Sequence, residues 1–78
     1  MPEIVRRNGF VLKILLPPRE HGPPHVHVFR AEGEVVINLV PLGVREVNAM
    51  SPAQVMKALR LVEQHATLLL AAWRKYHG

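Results

Sequence analysis

Residues 20–30 read EHGPPHVHVFR, and this stretch decides how the rest of the chain is arranged. It holds three of the five histidines, namely His21, His25 and His27. Its two prolines stop one strand, because proline lacks the N–H that a sheet ladder needs. The residues after them begin the next strand. Titratable groups converge in this stretch, so it is the candidate site and the remainder is its scaffold.

The length of 78 residues allows one domain, residues 1–78. A chain of this size buries only about 60% of the surface that it exposes when unfolded, so an oligomer or a partner is expected to complete its core. The absence of cysteine excludes a disulfide scaffold and a thiolate metal site. No secretory signal and no apolar run of about 20 residues is found. We therefore expect a cytoplasmic protein that does not enter a membrane.

The net charge of +4 comes from ten Lys and Arg against six Asp and Glu. A basic domain favours polyanions or an acidic protein as partners. The basic residues are scattered along the sequence, however, and aromatic residues for base stacking are few. Nucleic-acid binding is therefore one alternative, and a basic domain that is merely soluble is the other.

The first hairpin is predicted from Asn8-Gly9, because both residues tolerate the positive φ that a tight turn requires. Residues 4–7 form the short first strand, and Phe10 to Leu16 form the return strand. A two-residue turn pairs Arg7 with Phe10. The predicted core face then carries the apolar residues Val5, Phe10, Leu12, Ile14 and Leu16.

A second hairpin is predicted from residues 25–30 and 34–39. If Glu32 and Gly33 are its turn residues, Val28 lies opposite Ile37. A slip of one residue would reverse the two faces of this pair, because side chains alternate along a strand.

In this register His27 lies across from Asn38, within cross-strand contact. Residues 44–47 form a short edge strand. The sheet is thus expected to span residues 3–47.

The C-terminal segment is predicted to be one long helix over residues 51–76. Ser51, Pro52 and Gln54 form a capping box with proline at the first helical position. Apolar residues then recur in steps of four and three, as Val55, Leu59, Val62, Ala66, Leu69, Trp73 and Tyr76. This seam of about 26 residues is longer than most globular helices. Two alternatives are a break near residues 65–67 and a C-terminal half that packs on a second chain, as in a homodimer. The predicted fold is α+β, a small antiparallel sheet of three or four strands packed on one long C-terminal helix.

Metal binding is one interpretation of the histidines. His25 and His27 project from the same face of a strand, and His21 can reach them from the proline loop. Three imidazoles and a water form an acceptable site for Zn²⁺ or another divalent metal. Glu20 and Glu34 are candidate fourth ligands, but the spacing is not a strong metal signature.

Proton transfer is the second interpretation, because imidazole gains and loses a proton near neutral pH. Two histidines and a cation such as Arg30 or Lys13 are enough for metal-independent RNA cleavage. The third interpretation is that the rings line a solvated sheet face and hydrogen-bond to the loop or to Asn38. The candidate catalytic residues are His21, His25, His27, Arg30 and Asn38.

Several pieces of the sequence together resemble a family of small bacterial proteins, domain of unknown function family 4160. The residues that carry the resemblance are Met1-Pro2-x-Ile4, Gly9, His21-x-Pro23-Pro24-His25-x-His27-Val28 and Leu70-x-x-x-Trp73. The resemblance implies a bacterial component of a toxin–antitoxin-like two-gene module. It also implies a partner protein from domain of unknown function family 2442. It transfers no catalytic residue. Members often carry an acidic residue after the third strand, where this chain has none.

The sequence therefore supports two functions. The first is an interaction module that binds a partner protein, with nucleic acid as an additional ligand. The second is a histidine-dependent ribonuclease, metal-free or metal-assisted, that uses the His25/His27 face.

Overall fold

The computed structural model describes residues 3–14 and 23–77, which form five strands followed by two helices. The strands are β1 (Glu3–Arg7), β2 (Phe10–Lys13), β3 (His25–Arg30), β4 (Gly33–Leu39) and β5 (Leu42–Asn48), and the helices are α1 (Pro52–Gln64) and α2 (Ala66–His77). Each strand pairs antiparallel with the next in sequence, so the sheet order is β1-β2-β3-β4-β5. The α+β class is confirmed. The predicted count of three or four strands is too low, since the described residues contain five.

The first hairpin has the predicted register. Asn8 and Gly9 have positive φ values of 53° and 81°, and Arg7 pairs with Phe10. The side chains of Phe10 and Leu12 are buried on the predicted core face. The predicted end of the return strand, Leu16, lies outside the described residues.

The second hairpin turns one residue earlier than predicted, which shifts the pairing of its two strands by two residues. Ala31 and Glu32 form the turn, with Ala31 at a φ of 51°, and Arg30 pairs with Gly33. Val28 therefore lies opposite Val35 and not Ile37. Because the observed pairing differs from the predicted one by an even number of residues, each side chain lies on the face that was predicted for it.

The last strand, β5, is longer than the predicted residues 44–47. It pairs with β4 along its length and contains a bulge at Arg45, because Val36 faces Glu46 whereas Ile37 faces Val44. The extra residue of a bulge redirects its side chain relative to the regular alternation. β5 forms one edge of the sheet.

The core lies between one face of the sheet and the two helices. Its buried side chains are Phe10, Leu12, Ile14, Val26, Val28, Val35, Ile37, Leu39, Ala58, Leu61, Val62, Leu69 and Trp73. Each of the strands β2 to β4 contributes every second residue, as a half-buried sheet requires. Trp73 is thus a core residue, as the apolar seam predicts.

The start of the helical segment is as predicted. The Gln54 N–H donates to Ser51 Oγ at 3.2 Å, and the Ser51 N–H donates to Gln54 Oε1 at 3.0 Å. These reciprocal bonds satisfy backbone donors that have no partner inside the helix.

The single long helix of the prediction is wrong, because the segment breaks at His65. The backbone of His65 has φ −113° and ψ 16°, and its Nδ1–H donates to the Leu61 carbonyl at 2.9 Å. A continuous helix of 26 residues would be about 39 Å long, whereas the longest dimension of the molecule is 33 Å. The break allows both halves to cover the sheet. Within the described ranges, neither helix is long and apolar enough to cross a membrane.

The link between β5 and α1 passes very close to Gly33. A Cβ atom at Gly33 would contact the backbone carbonyl of Ala49 and the Cβ of Met50. Glycine at this position lets the chain that leads into α1 lie directly against the start of β4.

Candidate functional site: the histidine cluster

The buried centre of the cluster is His25, the first residue of β3. It is only 2% exposed, and its ring centroid lies 4.8 Å from that of Trp73 on α2. Its Nδ1 lies 2.9 Å from the carbonyl oxygen of Pro23. A carbonyl oxygen only accepts, so this contact requires a hydrogen on Nδ1. The carbonyl group of Pro23 thus fixes the orientation of the ring.

Arg45 is the cation of the cluster. Its Nη1 lies 3.2 Å from the same Nδ1 of His25. A guanidinium only donates, so this contact would require Nδ1 to carry no hydrogen, and the two contacts cannot be hydrogen bonds at the same time. The contact to Pro23 is the shorter of the two and has the usual length of an N–H···O hydrogen bond, so we assign the hydrogen bond to it. Arg45 then places a positive charge against the ring. Its position in the β5 bulge brings it there from two strands away.

His27 forms the accessible part of the cluster together with Glu34. Its Nδ1 donates to Glu34 Oε2 at 2.7 Å, and the two side chains are 12% and 29% exposed. The two residues lie diagonally across the β3–β4 pair on the same face. The carboxylate fixes the hydrogen of the neutral ring on Nδ1, so the lone pair of that ring is on Nε2. A histidine held by a carboxylate in this way is suited to proton transfer.

Aromatic rings connect the sheet to the end of α2. The ring centroids are 6.3 Å apart for Phe29 and His27, 5.4 Å for His27 and His25, and 4.8 Å for His25 and Trp73. His77 stacks on Trp73 at 3.8 Å with an angle of 11° between the rings. The row of rings therefore joins β3 to the last turn of α2.

Asn38 lies beside this cluster as the β4 partner of His25, not of His27 as predicted. Its Oδ1 is buried and has no hydrogen-bond partner in the part of the chain that the structure describes. A buried acceptor without a donor destabilises the fold by about 1–3 kcal/mol.

The structure brings together three of the five predicted site residues. His25, His27 and Asn38 share one face, whereas Arg30 lies on the opposite face, with its guanidinium over Phe10. His21 lies outside the described residues, and so does Glu20.

Two side chains of this cluster were not among the predicted catalytic residues. Glu34 was considered only as a metal ligand. Its even spacing from Asn38 along β4 puts it on the histidine face. Arg45 gave no sequence signal, because its approach to His25 depends on a bulge. Within residues 3–14 and 23–77, no three His, Cys, Asp or Glu side chains are grouped so that they could hold a metal ion.

These features define a small α+β protein whose sheet carries a histidine–carboxylate pair on one face and two helices on the other. A family model described as "Domain of unknown function (DUF4160)" matches residues 9–74, and the chain belongs to that family. The matched region contains the whole histidine cluster except His77. Neither the comparison with curated proteins nor that with solved structures gives a match.

Proposed function

We propose that the chain is a protein-binding component of a toxin–antitoxin-like two-gene module and that its partner binds along β5. The observation that carries this proposal is an apolar strip on that edge strand, formed by Leu42, Val44 and Val47. Their side chains are 38%, 43% and 46% exposed. Val40, in the turn before β5, adds to the same exposed apolar surface.

The strip continues the core face beyond the area that the helices cover. Leu42 pairs with Leu39 and Val44 with Ile37, and directly opposed residues project from the same side of a sheet. The β4 members of these pairs are buried, whereas the β5 members are exposed. A partner on this edge would therefore extend both the hydrogen-bonded ladder and the apolar core.

An unpaired apolar edge strand favours association, and proteins that stay monomeric usually protect such edges. The basic charge of the chain favours an acidic partner, and the family resemblance favours a protein from domain of unknown function family 2442. The helices offer the competing surface, since Met56 and Leu68 are each 51% exposed. A homodimer through the helices is the alternative arrangement.

The two surfaces can be tested with matched charge substitutions. Val44→Lys with Val47→Lys places two charges on the β5 strip, and Met56→Lys with Leu68→Lys places two on the helices. All four side chains are exposed, so we expect both variants to stay folded, as circular dichroism would check. The measurement is the affinity for the co-encoded protein by isothermal titration calorimetry, together with the mass of the free chain by analytical ultracentrifugation.

We expect the β5 variant to bind at least 10-fold more weakly and the helix variant to bind like the wild type. If the helix variant binds more weakly and the β5 variant binds like the wild type, the interface lies on the helices. A wild-type chain that stays monomeric and does not bind the co-encoded protein would refute the interaction module itself.

A histidine-dependent ribonuclease is the second candidate, and the 2.7 Å contact between His27 and Glu34 favours it. In such a reaction His27 removes the proton of a ribose 2′-hydroxyl, the O2′–P bond forms and the P–O5′ bond breaks, with water protonating the leaving oxygen. His25 is too buried to contact RNA and would act as a positioning residue.

This second candidate predicts that His27→Ala abolishes RNA cleavage by the purified protein, whereas His65→Ala leaves the rate unchanged. His65 is the control because its ring contacts Leu61 at the end of α1. Cleavage that persists in His27→Ala, or that is absent from the wild type, excludes this function.

A further inference from the structure

A basic pocket lies between α1 and the β1–β2 end of the sheet, away from the edge strand β5. The proposed function does not use this pocket. It has a volume of about 490 Å³, within the range of small-molecule sites. The β1–β2 turn, the end of β3 and α1 contribute its lining. The lining residues are Arg7, Asn8, Phe10, Arg30, Lys57, Arg60, Leu61 and Gln64.

Four of these side chains are cations and none is a carboxylate. They come from positions up to 53 residues apart, from Arg7 to Arg60, so the sequence shows them as scattered. In the described ranges, no carboxylate forms an ion pair with Arg7, Arg30, Lys57 or Arg60. Like charges in one concavity repel each other and attract anions.

Arg30 is held in place before any ligand binds. Its Cζ lies 4.8 Å from the centre of the Phe10 ring, and its Nη1 donates to the Asn8 carbonyl at 3.3 Å. The turn packs against it as well, because a Cβ atom at Gly9 would lie 3.9 Å from the guanidinium. A fixed guanidinium loses little conformational entropy when it binds a planar or tetrahedral oxyanion.

Two further cations of the pocket, Lys57 and Arg60, lie on one face of α1 together with Gln64. Lys57, Arg60 and Gln64 are spaced by three and four residues, so their side chains are neighbours on the helix surface. The positive charge of three guanidinium groups and one ammonium group is greater than the charge that a single carboxylate would neutralise. Phosphate groups carry more charge, and arginine matches their geometry with paired hydrogen bonds.

We propose that this pocket binds the phosphate groups of a nucleotide or of a nucleic-acid strand. Arg30 is the preorganised anchor, Arg7 and Arg60 approach the same anion from the turn and from α1, and Gln64 adds an amide. Phe10 is buried beneath Arg30 and leaves no exposed ring for base stacking. Recognition is therefore of the phosphates and not of a particular base.

The test compares two double variants that remove the same charge. Lys57→Gln with Arg60→Gln changes the pocket, and Arg74→Gln with Lys75→Gln changes exposed residues of α2. The probes are inorganic phosphate, ADP, a single-stranded RNA hexanucleotide and poly-glutamate, each titrated by isothermal calorimetry. The Nε–Hε resonance of Arg30 is followed by NMR in the wild-type chain.

We expect ADP or the RNA to shift the Arg30 resonance, and the pocket variant to bind at least 10-fold more weakly. The α2 variant is expected to change the affinity less than twofold. With the RNA, loss of two phosphate contacts lowers the slope of log K against log salt by about 1.4. Binding of ADP as tight as that of RNA would assign the site to nucleotides, and binding of RNA alone would assign it to a strand.

Three results would overturn the proposal. Equal weakening by both variants would mean that net charge alone attracts the probes. Preference for poly-glutamate would identify an acidic protein as the ligand, and no binding by the wild type would exclude an anion site. Val44→Lys with Val47→Lys should leave phosphate binding unchanged, so failure here is distinguishable from failure of the β5 interface.

Discussion

The contact between Gly33 and the link to α1 makes a quantitative prediction about Gly33→Ala. The added Cβ would overlap the backbone carbonyl of Ala49, and a backbone atom cannot rotate away as the end of a side chain can. Overpacking of this kind destabilises a fold by about 1–3 kcal/mol. The substitution also restricts the unfolded chain, which stabilises by about 0.4–1 kcal/mol. We expect a net loss of about 1–2 kcal/mol.

That loss is a large share of the stability of so small a domain. At about 0.05–0.15 kcal/mol per residue, the 78 residues have a free energy of unfolding of about 4–12 kcal/mol. A loss of 1–2 kcal/mol lowers the Tm by about 4–16 °C. Thermal and urea unfolding followed by far-UV circular dichroism and by the fluorescence of Trp73 measures both quantities.

Gly43→Ala is the matched control, since a Cβ at Gly43 meets no atom within 4 Å. Its effect should lie within about 0.5 kcal/mol of zero or be slightly stabilising. If the two variants have the same Tm, the close approach of Ala49 does not constrain the fold and the reasoning fails.

Substitutions at three further positions test other parts of the fold by urea denaturation. Ser51→Ala removes the cap of α1 and should destabilise by about 1 kcal/mol, with faster amide exchange in the first turn of that helix; unchanged exchange would contradict the capping role. Asn38→Leu removes a buried acceptor and should raise the free energy of unfolding by about 1 kcal/mol; a decrease would mean that Oδ1 has a donor in the folded chain. Trp73→Ala should destabilise by about 3–5 kcal/mol, and Trp73→Phe by clearly less; equal losses would mean that the ring size does not matter there.

Local turn chemistry explains which parts of the sheet could be predicted. Asn8-Gly9 offers two residues that accept positive φ, so the register of the first hairpin followed directly. In the second hairpin Glu32-Gly33 looked like the better turn, yet Ala31 takes the positive φ instead. The close approach of Ala49 explains the difference, because a residue with a Cβ atom would overlap the Ala49 carbonyl at the start of β4 and glycine does not. A contact between segments so far apart has no local sequence signature.

Contacts between distant segments also explain what the sequence did not predict about the helix and the site. The apolar seam predicts which helix residues are buried, but the break at His65 depends on the size of the sheet beneath. His25 and His27 were identified from their alternation, which fixes a shared face. Arg45 joins them only through a bulge, and the four cations of the pocket meet only through tertiary packing. Residue types and spacing therefore predicted the residues of the candidate site that lie on one strand. They did not predict the residues that the fold brings together from different elements.

The sequential order of the strands has a consequence for synthesis on the ribosome. Every strand pairs with its neighbour in sequence, so the five-stranded meander can form as soon as Asn48 has emerged. At that stage the face that α1 and α2 later cover is open to solvent, and its Val and Ile side chains are available to other nascent chains. The two helices thus protect this face from other chains. Premature termination before residue 52 would release an aggregation-prone sheet.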